Sequence, residues 1–285
     1  MESFAKNKVT IITGGTNGLG KATAFELARQ GALVTIIGRT PQKCAQVADQ
    51  IKAASGNPVE WIAVDLSTPA GVQSAVSQFN ERNDHLHILI NNAGALFRNL
   101  QYTEDGYEMT FALNHLSYFS FTNLLLDKLV SSHPARIINV SSLAHASINK
   151  LDLENMQNGR RYNGMIAYSQ SKLCNLLFTY ELARILKDTG VTVNAVHPGY
   201  VNTGFAKNNG PIYRFFIEVG GRLFAKKPLQ GAQTMTYLAT SNIVDGITGK
   251  YFSDFKETTS SKLSYDRTVA SGLWQKSLEL TGMTH

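Results

Sequence analysis

Tyr168 and Lys172 stand one helical turn apart in the run Tyr-Ser-Gln-Ser-Lys. After them, Leu173, Leu176, Leu177, Tyr180, Leu182, Ala183 and Leu186 keep an apolar face at helical spacing. Residues i and i+4 of such a helix share one face, so a phenol and an ammonium project side by side. A free phenol titrates near pH ~10 and is a poor acid or base at neutrality. A cation held close favours the phenolate and lowers that value. A tyrosine tuned this way passes a proton to or from an alcohol or ketone oxygen. The same spacing also describes a surface lysine beside an amphipathic tyrosine, so the pair takes its meaning from what surrounds it.

The elements that must position the pair alternate between strand and helix patterns. Val9–Thr13 is a β-branched run that reads as a buried parallel strand. The loop Gly14-Gly15-Thr16-Asn17-Gly18-Leu19-Gly20 follows, then a helix pattern from Lys21 to Gln30. A glycine loop between strand and helix N-terminus lets a pyrophosphate approach free N–H groups and the positive end of the helix dipole. Gly14, Thr16, Asn17, Gly18, Leu19 and Gly20 are therefore candidate cofactor contacts. The spacing is G-x-x-x-G-x-G, not the usual G-x-G-x-x-G, and an ordinary glycine-rich turn is the competing reading. Leu33–Ile37 is a second strand, ending in Gly38-Arg39-Thr40. Dinucleotide folds often place an acid near this point for the adenosine ribose. Here Arg39 offers a planar, charged fork suited to a 2′-phosphate, which favours NADP(H) over NAD(H).

Val59–Val64 reads as a third strand closed by Asp65-Leu66. That pair either flanks the adenine, or Asp65 caps a helix starting near Ser67; both roles stay open. His87–Ile90 is a fourth strand running into Asn91-Asn92-Ala93-Gly94, where Asn91, Ala93 and Gly94 suit close approach of a cofactor. Asp105–Ser132 reads as one long helical region. Asn114 inside it costs helix propensity and needs a reason, either an ordered water or a kink. Arg136–Ser141 is a fifth strand, and Ser142 at its end can donate to a substrate oxygen. Leu143–Ala167 reads as irregular. Val191–Val196 is a sixth strand ending in His197-Pro198-Gly199. A helix over Pro228–Thr240, a short strand Lys250–Ser253 and a closing helix Asp266–Leu280 complete the chain. No linker or repeat interrupts this order, which argues one α/β domain over residues 1–285.

Composition narrows the function classes. With 43% hydrophobic and 17% charged residues, a large core is expected and disorder is not. The net charge is +6, but the basic residues are spread out, so nucleic acid is a weak reading. The 7 histidines are scattered and the 2 cysteines, Cys44 and Cys174, fall in helix patterns. No metal site is expected, and the thiols read as those of a reducing, cytoplasmic compartment. No apolar span of transmembrane length is present, and Met1–Lys8 carries no apolar signal region.

Taken together these residues resemble the short-chain dehydrogenase/reductase family, of the classical type. The likeness rests on Thr13-Gly14-x-x-x-Gly18-x-Gly20, Asn91-Asn92-Ala93-Gly94, Asn114, Ser142, Tyr168-x-x-x-Lys172 and Pro198-Gly199, in the family's order and spread along nearly the whole chain. The runs Asn139-Val-Ser-Ser-Leu-Ala-His145, Tyr168-Ser-Gln-Ser-Lys-Leu-Cys-Asn-Leu-Leu-Phe178 and Gln230-Gly-Ala-Gln-Thr234 resemble its retinol dehydrogenase-like branch. Members of that branch commonly carry an N-terminal membrane segment; none is legible here, where Val9 already opens a strand. The resemblance implies a single doubly wound Rossmann domain, with a mostly parallel sheet of about seven strands flanked by helices. It implies that Tyr168 is the general acid/base, that Lys172 lowers its pKa and binds the nicotinamide ribose, that Ser142 polarises the carbonyl, and that Asn114 anchors a relay water. It implies that Pro198, Gly199, Val201 and Thr203 border the nicotinamide. The interval from Ser142 to Tyr168 is longer than in compact members, so the extra loop either covers the site or blocks the usual helix-to-helix dimer.

Residues 203–227 correspond to the family's substrate lid. Tyr213, Phe215, Phe216, Ile217, Leu223 and Phe224 make it aromatic, which implies an apolar substrate. A core helix and an interfacial membrane helix, the latter helped by Arg222, Lys226 and Lys227, remain open. The leading expectation is an NADP(H)-dependent oxidoreductase acting on an apolar carbonyl or alcohol, as a monomer or homodimer. A tailoring ketoreductase of secondary metabolites and a non-catalytic NADP(H) sensor are the alternatives.

Overall fold

Runs of β-branched residues, bounded by glycine and proline, become the strands of one sheet. The computed structural model describes residues 3–156, 162–199 and 228–284. The strands are β1 (Val9–Thr13), β2 (Leu33–Gly38), β3 (Val59–Ala63), β4 (Ile88–Asn91), β5 (Ala135–Val140), β6 (Val191–His197), β7 (Lys250–Ser253) and β8 (Lys256–Glu257). They lie in the order β3-β2-β1-β4-β5-β6-β7-β8. All neighbours pair in parallel except β7 and β8, which form a short antiparallel edge. The sheet thus has 8 strands where about seven were expected. Lys256–Glu257 is exposed and charged, so no apolar alternation betrayed it.

Alternate residues of each strand feed opposite faces. Ile11, Ile37 and Leu89 join one core cluster, with Phe79, Phe119, Phe178 and Trp274. Ile12, Ile36 and Ile90 join another, with Leu27, Ile51 and Met235. The second cluster lies under helices α1 (Gly18–Arg29) and α2 (Pro41–Ser55). The first lies under α3 (Pro69–Asn80) and the helices of the chain's middle. A parallel sheet covered on both faces explains why its strands read as continuous apolar runs. The strand order reverses between β1 and β4, and the crevice at their carboxyl ends is where open α/β sheets bind ligands.

The expected helix over 105–132 is broken up. It begins as α4 (Met109–Phe111), capped by the Glu108 carboxylate, which accepts from the Thr110 and Phe111 N–H groups. A π-helical turn, Ala112–Leu116, then centres on Asn114. α5 (Ser117–Leu124) and α6 (Leu126–Ser131) follow, separated by Leu125 in a non-helical conformation. The kink expected from Asn114 is therefore a π turn, in which the Ser117 N–H reaches back to Ala112. A second difference concerns Asp65. The cap of α3 is Thr68, whose hydroxyl accepts from the Gly71 N–H. Asp65 instead accepts from the N–H and hydroxyl of Ser67, closing a local turn.

Helix α7 (Gly164–Ile185) carries Tyr168 and Lys172. The preceding interval is less irregular than expected. It contains two 3₁₀ turns, Leu143–Ser147 and Leu153–Asn155. Ile148, Leu151 and Met156 pack with Leu173 and Leu177 of α7 and with Leu273 of the last helix. After α7 come α8 (Pro228–Thr240) and α9 (Arg267–Thr281). The start of α7 is seated against the chain near Phe97. Tyr162 places its hydroxyl within hydrogen-bond distance of the Phe97 carbonyl (2.9 Å) and the Glu108 carboxylate (3.0 Å). A Cβ on Gly164 would lie 2.1 Å from the Phe97 oxygen, a backbone atom that cannot swing aside. Gly164→Ala is expected to cost about 2–3 kcal/mol. Urea denaturation checks this, and a change below ~0.5 kcal/mol would refute the tight seat.

Candidate functional site

The carboxyl end of β1 is tied to that of β4 by one side chain. The Thr13 hydroxyl accepts from the N–H groups of Asn92 (2.8 Å) and Ala93 (3.0 Å), and the Asn92 amide donates back to the Thr13 carbonyl (2.8 Å). The glycine loop folds onto this joint. Gly14 has φ +67, which side chains rarely adopt, and a Cβ there would meet the Ala93 Cα at 3.0 Å. A Cβ on Gly20 would sit 2.5 Å from both the Gly14 oxygen and the Asn92 amide nitrogen. Asn17 begins α1 without spending its side chain on the first-turn N–H groups. The cradle therefore keeps open donors and no Cβ, which fits a pyrophosphate. Thr16 lies against Gly38, where a Cβ would be 2.6 Å from the threonine methyl. This brings the end of β2, with exposed Arg39, beside the loop. Arg39 makes no ion pair with any described residue, which fits a guanidinium reserved for a phosphate.

Not every candidate faces the crevice. The Asn91 side chain is fully buried and its amide nitrogen donates to Thr122 and Asn139, each at 2.9 Å, which commits that nitrogen to the core. Leu66 is also a core side chain, packed with Val72 and Phe79. Asp65 beside it is exposed at the end of β3. Ala93 and Gly94 border the crevice; a Cβ on Gly94 would lie 3.0 Å from the Asn114 side-chain oxygen and 3.5 Å from Lys172 Nζ. Pro198 and Gly199 follow β6, with Gly199 at φ +82. Val201, Thr203 and the expected lid 203–227 lie outside the described residues.

The four residues assigned to proton chemistry come together. Asn114 is fully buried; its amide accepts from the Ala95 N–H (2.9 Å) and donates to the Ala95 carbonyl and to Ser171, each at 3.0 Å. It thus anchors the loop after β4 to α7. Of the serine pair, Ser141 is buried and donates to the Lys172 carbonyl at 2.7 Å. Ser142 is half-buried and in extended conformation; its hydroxyl accepts from the Ala144 N–H at 3.2 Å and also acts on the Tyr168 phenol, drawing its pKa down.

Lys172 is 3% exposed and donates to the Val140 carbonyl at 3.1 Å. Its Nζ stands 5.6 Å from the ring centres of both Tyr168 and Tyr118. Burial pushes this lysine down to about 7. Burial pushes the Tyr168 phenol up to about 12, opposed in part by the Ser142 hydrogen bond. The phenol is therefore raised where a neighbouring cation was expected to lower it; the Lys172 Nζ is turned to a carbonyl, and burial lowers its own pKa.

Tyr118 escaped the sequence reading. It lies one turn after Asn114, is 1% exposed, and its phenol is held well above the ordinary value by burial and by Tyr168. The i+4 spacing from Asn114 was the available signal. The Thr13–Asn92 joint had none, because it links residues distant in sequence. Among the described residues, no cluster of three His, Cys, Asp or Glu side chains could hold a metal, and no helix is long and apolar enough to cross a membrane.

Comparison with known proteins gives this arrangement a context. A family model described as short chain dehydrogenase matches residues 8–212. Human retinol dehydrogenase 11 is 39% identical over 283 residues, covering 97% of this chain and 86% of that protein. Human polyprenol dehydrogenase is 40% identical over 284 residues, covering 97% and 86%. Among solved structures, a short chain dehydrogenase from Burkholderia cenocepacia J2315 in complex with NADP matches with a TM-score of 0.70 at 26% identity, covering 87% of this chain and 96% of that one.

Proposed function

The chain belongs to the short-chain dehydrogenase family, in its retinol dehydrogenase-like branch, and on that premise we propose that it is an NADP(H)-dependent oxidoreductase interconverting a carbonyl and an alcohol on an apolar small molecule. The observation that carries the reading is the Tyr168 phenol set beside Ser142, with buried Lys172 one turn along the same helix. The pair stands beside the chain leaving β4, where a Cβ on Gly94 would lie 3.5 Å from Lys172 Nζ, next to the β1/β4 switch.

A nicotinamide held there supplies or accepts the hydride. The Gly14–Gly20 loop and the N-terminus of α1 take its pyrophosphate, Arg39 takes the 2′-phosphate, and Asp65 stands at the adenine end. Ala93 and Gly94 line the middle of the crevice, and Pro198 and Gly199, followed by Val201 and Thr203, border the ring. Ser142 donates to the substrate oxygen. Tyr168 delivers the proton as negative charge grows there during reduction, and takes it back in the alcohol-to-carbonyl direction. Lys172 orients the nicotinamide ribose, and Asn114 holds the loop and helix that set Lys172 in place.

Leu143, Met165 and Ile166 support an apolar substrate. They are 58%, 50% and 48% exposed, and they adjoin Ser142 and Tyr168 in sequence. Large apolar side chains left open beside reacting groups offer a wall that a hydrocarbon can cover. The names of the retinol and polyprenol dehydrogenases point the same way. A screen of apolar and polar aldehydes, ketones and alcohols with both cofactors tests the proposal. Apolar carbonyls with NADPH are the expected substrates, and no turnover in either direction would defeat it.

The cofactor preference has its own test. Arg39→Asp is expected to weaken NADPH binding ~10- to 100-fold, the worth of a charge-assisted fork on phosphate. NADH binding should change little or improve. Fluorescence titration of both cofactors checks this, and equal loss of the two would remove the 2′-phosphate assignment.

A further inference from the structure

We propose that His145 is a positioning residue for Ser142: its imidazole, anchored at one nitrogen by the Ser261 backbone, holds the Ser142 carbonyl with the other and so fixes where the serine hydroxyl points. The inference rests on the oxidoreductase reading above and concerns the same site.

The sheet releases Ser142 at the point where it must be precise. Ser141 is the last residue tied to the ladder, its N–H donating to Val196 at 2.9 Å. Ser142 lies beyond it, at φ −158 and ψ 154, ahead of the turn Leu143–Ser147. Two bonds within the turn hold Ser142, from the Ala144 N–H to its hydroxyl and from the His145 N–H to its carbonyl, each at 3.2 Å, and the His145 ring adds a third that is anchored outside the turn. Its Nδ1 meets the Ser142 carbonyl at 2.5 Å, and its Nε2 lies 3.0 Å from the Ser261 N–H. An amide N–H can only donate, so Nε2 carries no proton and Nδ1–H is the donor to Ser142. The ring is 2% exposed and stands edge-on to Tyr251, with centroids 5.4 Å apart at 83°. Burial also holds the imidazole below its ordinary pKa, which keeps it neutral.

The anchor is itself tied to the helix that carries the tyrosine. The Ser260 hydroxyl lies 2.7 Å from the Tyr180 hydroxyl of α7 and 2.6 Å from that of Ser264. The Ser260 N–H donates to Tyr265, whose ring stacks on Tyr180 at 5.1 Å and 8°. A closed path therefore runs from Ser142 through His145 and the 260–265 turn to α7, and along α7 to Tyr168. The Ser142 and Tyr168 hydroxyls are thus referenced to each other from behind. Both ring nitrogens are committed, so His145 takes no part in proton transfer.

Two isosteres separate the ends of the ring. In His145→Asn the amide nitrogen replaces Nδ1 and keeps the donor to Ser142; in His145→Gln the amide oxygen replaces Nε2 and keeps only the Ser261 end. With NADPH and an apolar aldehyde, His145→Asn is expected within about threefold of wild-type kcat and His145→Gln about 10- to 100-fold below it, the cost of a misplaced reacting group. The Kd for NADPH should be unchanged in both. Equal kcat in the two variants, or a loss that appears in NADPH binding instead, overturns the proposal. If His145→Gln fails to fold, Ser261→Pro decides. Ser261 already has φ −63, which proline shares, so the change removes the anchoring N–H, and with it the Ser261 hydroxyl, without forcing a new φ. A kcat reduced at least threefold supports the clamp, and wild-type kcat refutes it. A crystal structure of His145→Gln gives a readout independent of turnover. Ser142 displaced from Tyr168 supports the role, and Ser142 unmoved refutes it, whatever the substrate screen shows.

Discussion

Tyr168→Phe is expected to lower kcat by about 10³, within the range that general acid–base catalysis supplies, while NADPH binds as before. The phenyl ring keeps the volume that Lys172 faces at 5.6 Å, so the packing of α7 survives. What disappears is the hydroxyl beside Ser142. In the free protein that phenol is pushed up to about 12, so at neutral pH it holds its proton and is ready to donate it to a carbonyl oxygen. Ser142 alone can polarise the carbonyl but cannot complete the proton transfer as efficiently. Steady-state rates with NADPH and an apolar aldehyde, paired with a fluorescence titration of NADPH, make the measurement. A kcat within tenfold of wild type would remove Tyr168 from the reaction. A protein whose cellular effect survived the substitution, with turnover absent in both forms, would be the nucleotide sensor.

Lys172→Met should also cost roughly 10² or more in kcat, since the ribose-orienting ammonium is lost, and its effect on stability has a definite pH signature. Lys172 titrates near 10.5 in an unfolded chain and is pushed down to about 7 in the cofactor-free fold by burial. Between those values the unfolded chain binds the extra proton and the folded one does not. Unfolding stability therefore rises with pH from about 7 toward 10.5, and the penalty of burying the charge is fully present below about 7. Methionine, unbranched and apolar, fills similar space without that penalty. Below pH 7 the variant should be the more stable protein, and its advantage should narrow as the pH is raised. Thermal unfolding of both proteins without cofactor, from pH 6 to 9.5, reads this difference. A stability difference that stays constant across the range would mean that Lys172 titrates as an ordinary lysine.

The linear sequence was enough for the frame of the site. Val9–Thr13 followed by the glycine loop, and Tyr168 one turn before Lys172, are local patterns. Strand alternation and the i+4 relation are fixed by backbone geometry, so neighbours along the chain suffice to read them. The parallel sheet and its mononucleotide crevice follow from the alternation of such segments. Asn114 also announced itself, as a polar residue where a helix prefers none, and the π turn is what that cost signified.

Folding decided the rest, because burial and partner choice depend on what packs across from a residue and not on what precedes it. Asn91 stands at the end of β4, and only packing shows its side-chain nitrogen held by Thr122 and Asn139 in the core. Ser141 and Ser142 meet different parts of α7, the first donating to the Lys172 carbonyl and the second acting on the Tyr168 phenol. Lys172 was expected to act as a cation on the phenol, but desolvation lowers its pKa and a carbonyl takes its hydrogen bond. His145 was only part of a resembling run in the sequence. Its role needs Ser261, brought to it from the far end of the chain by the closing segments of the sheet. The sequence determined which groups could do chemistry, since their types and local spacing are written in order. Their protonation, orientation and support were decided by long-range packing, because an electrostatic environment is a property of the assembled surroundings.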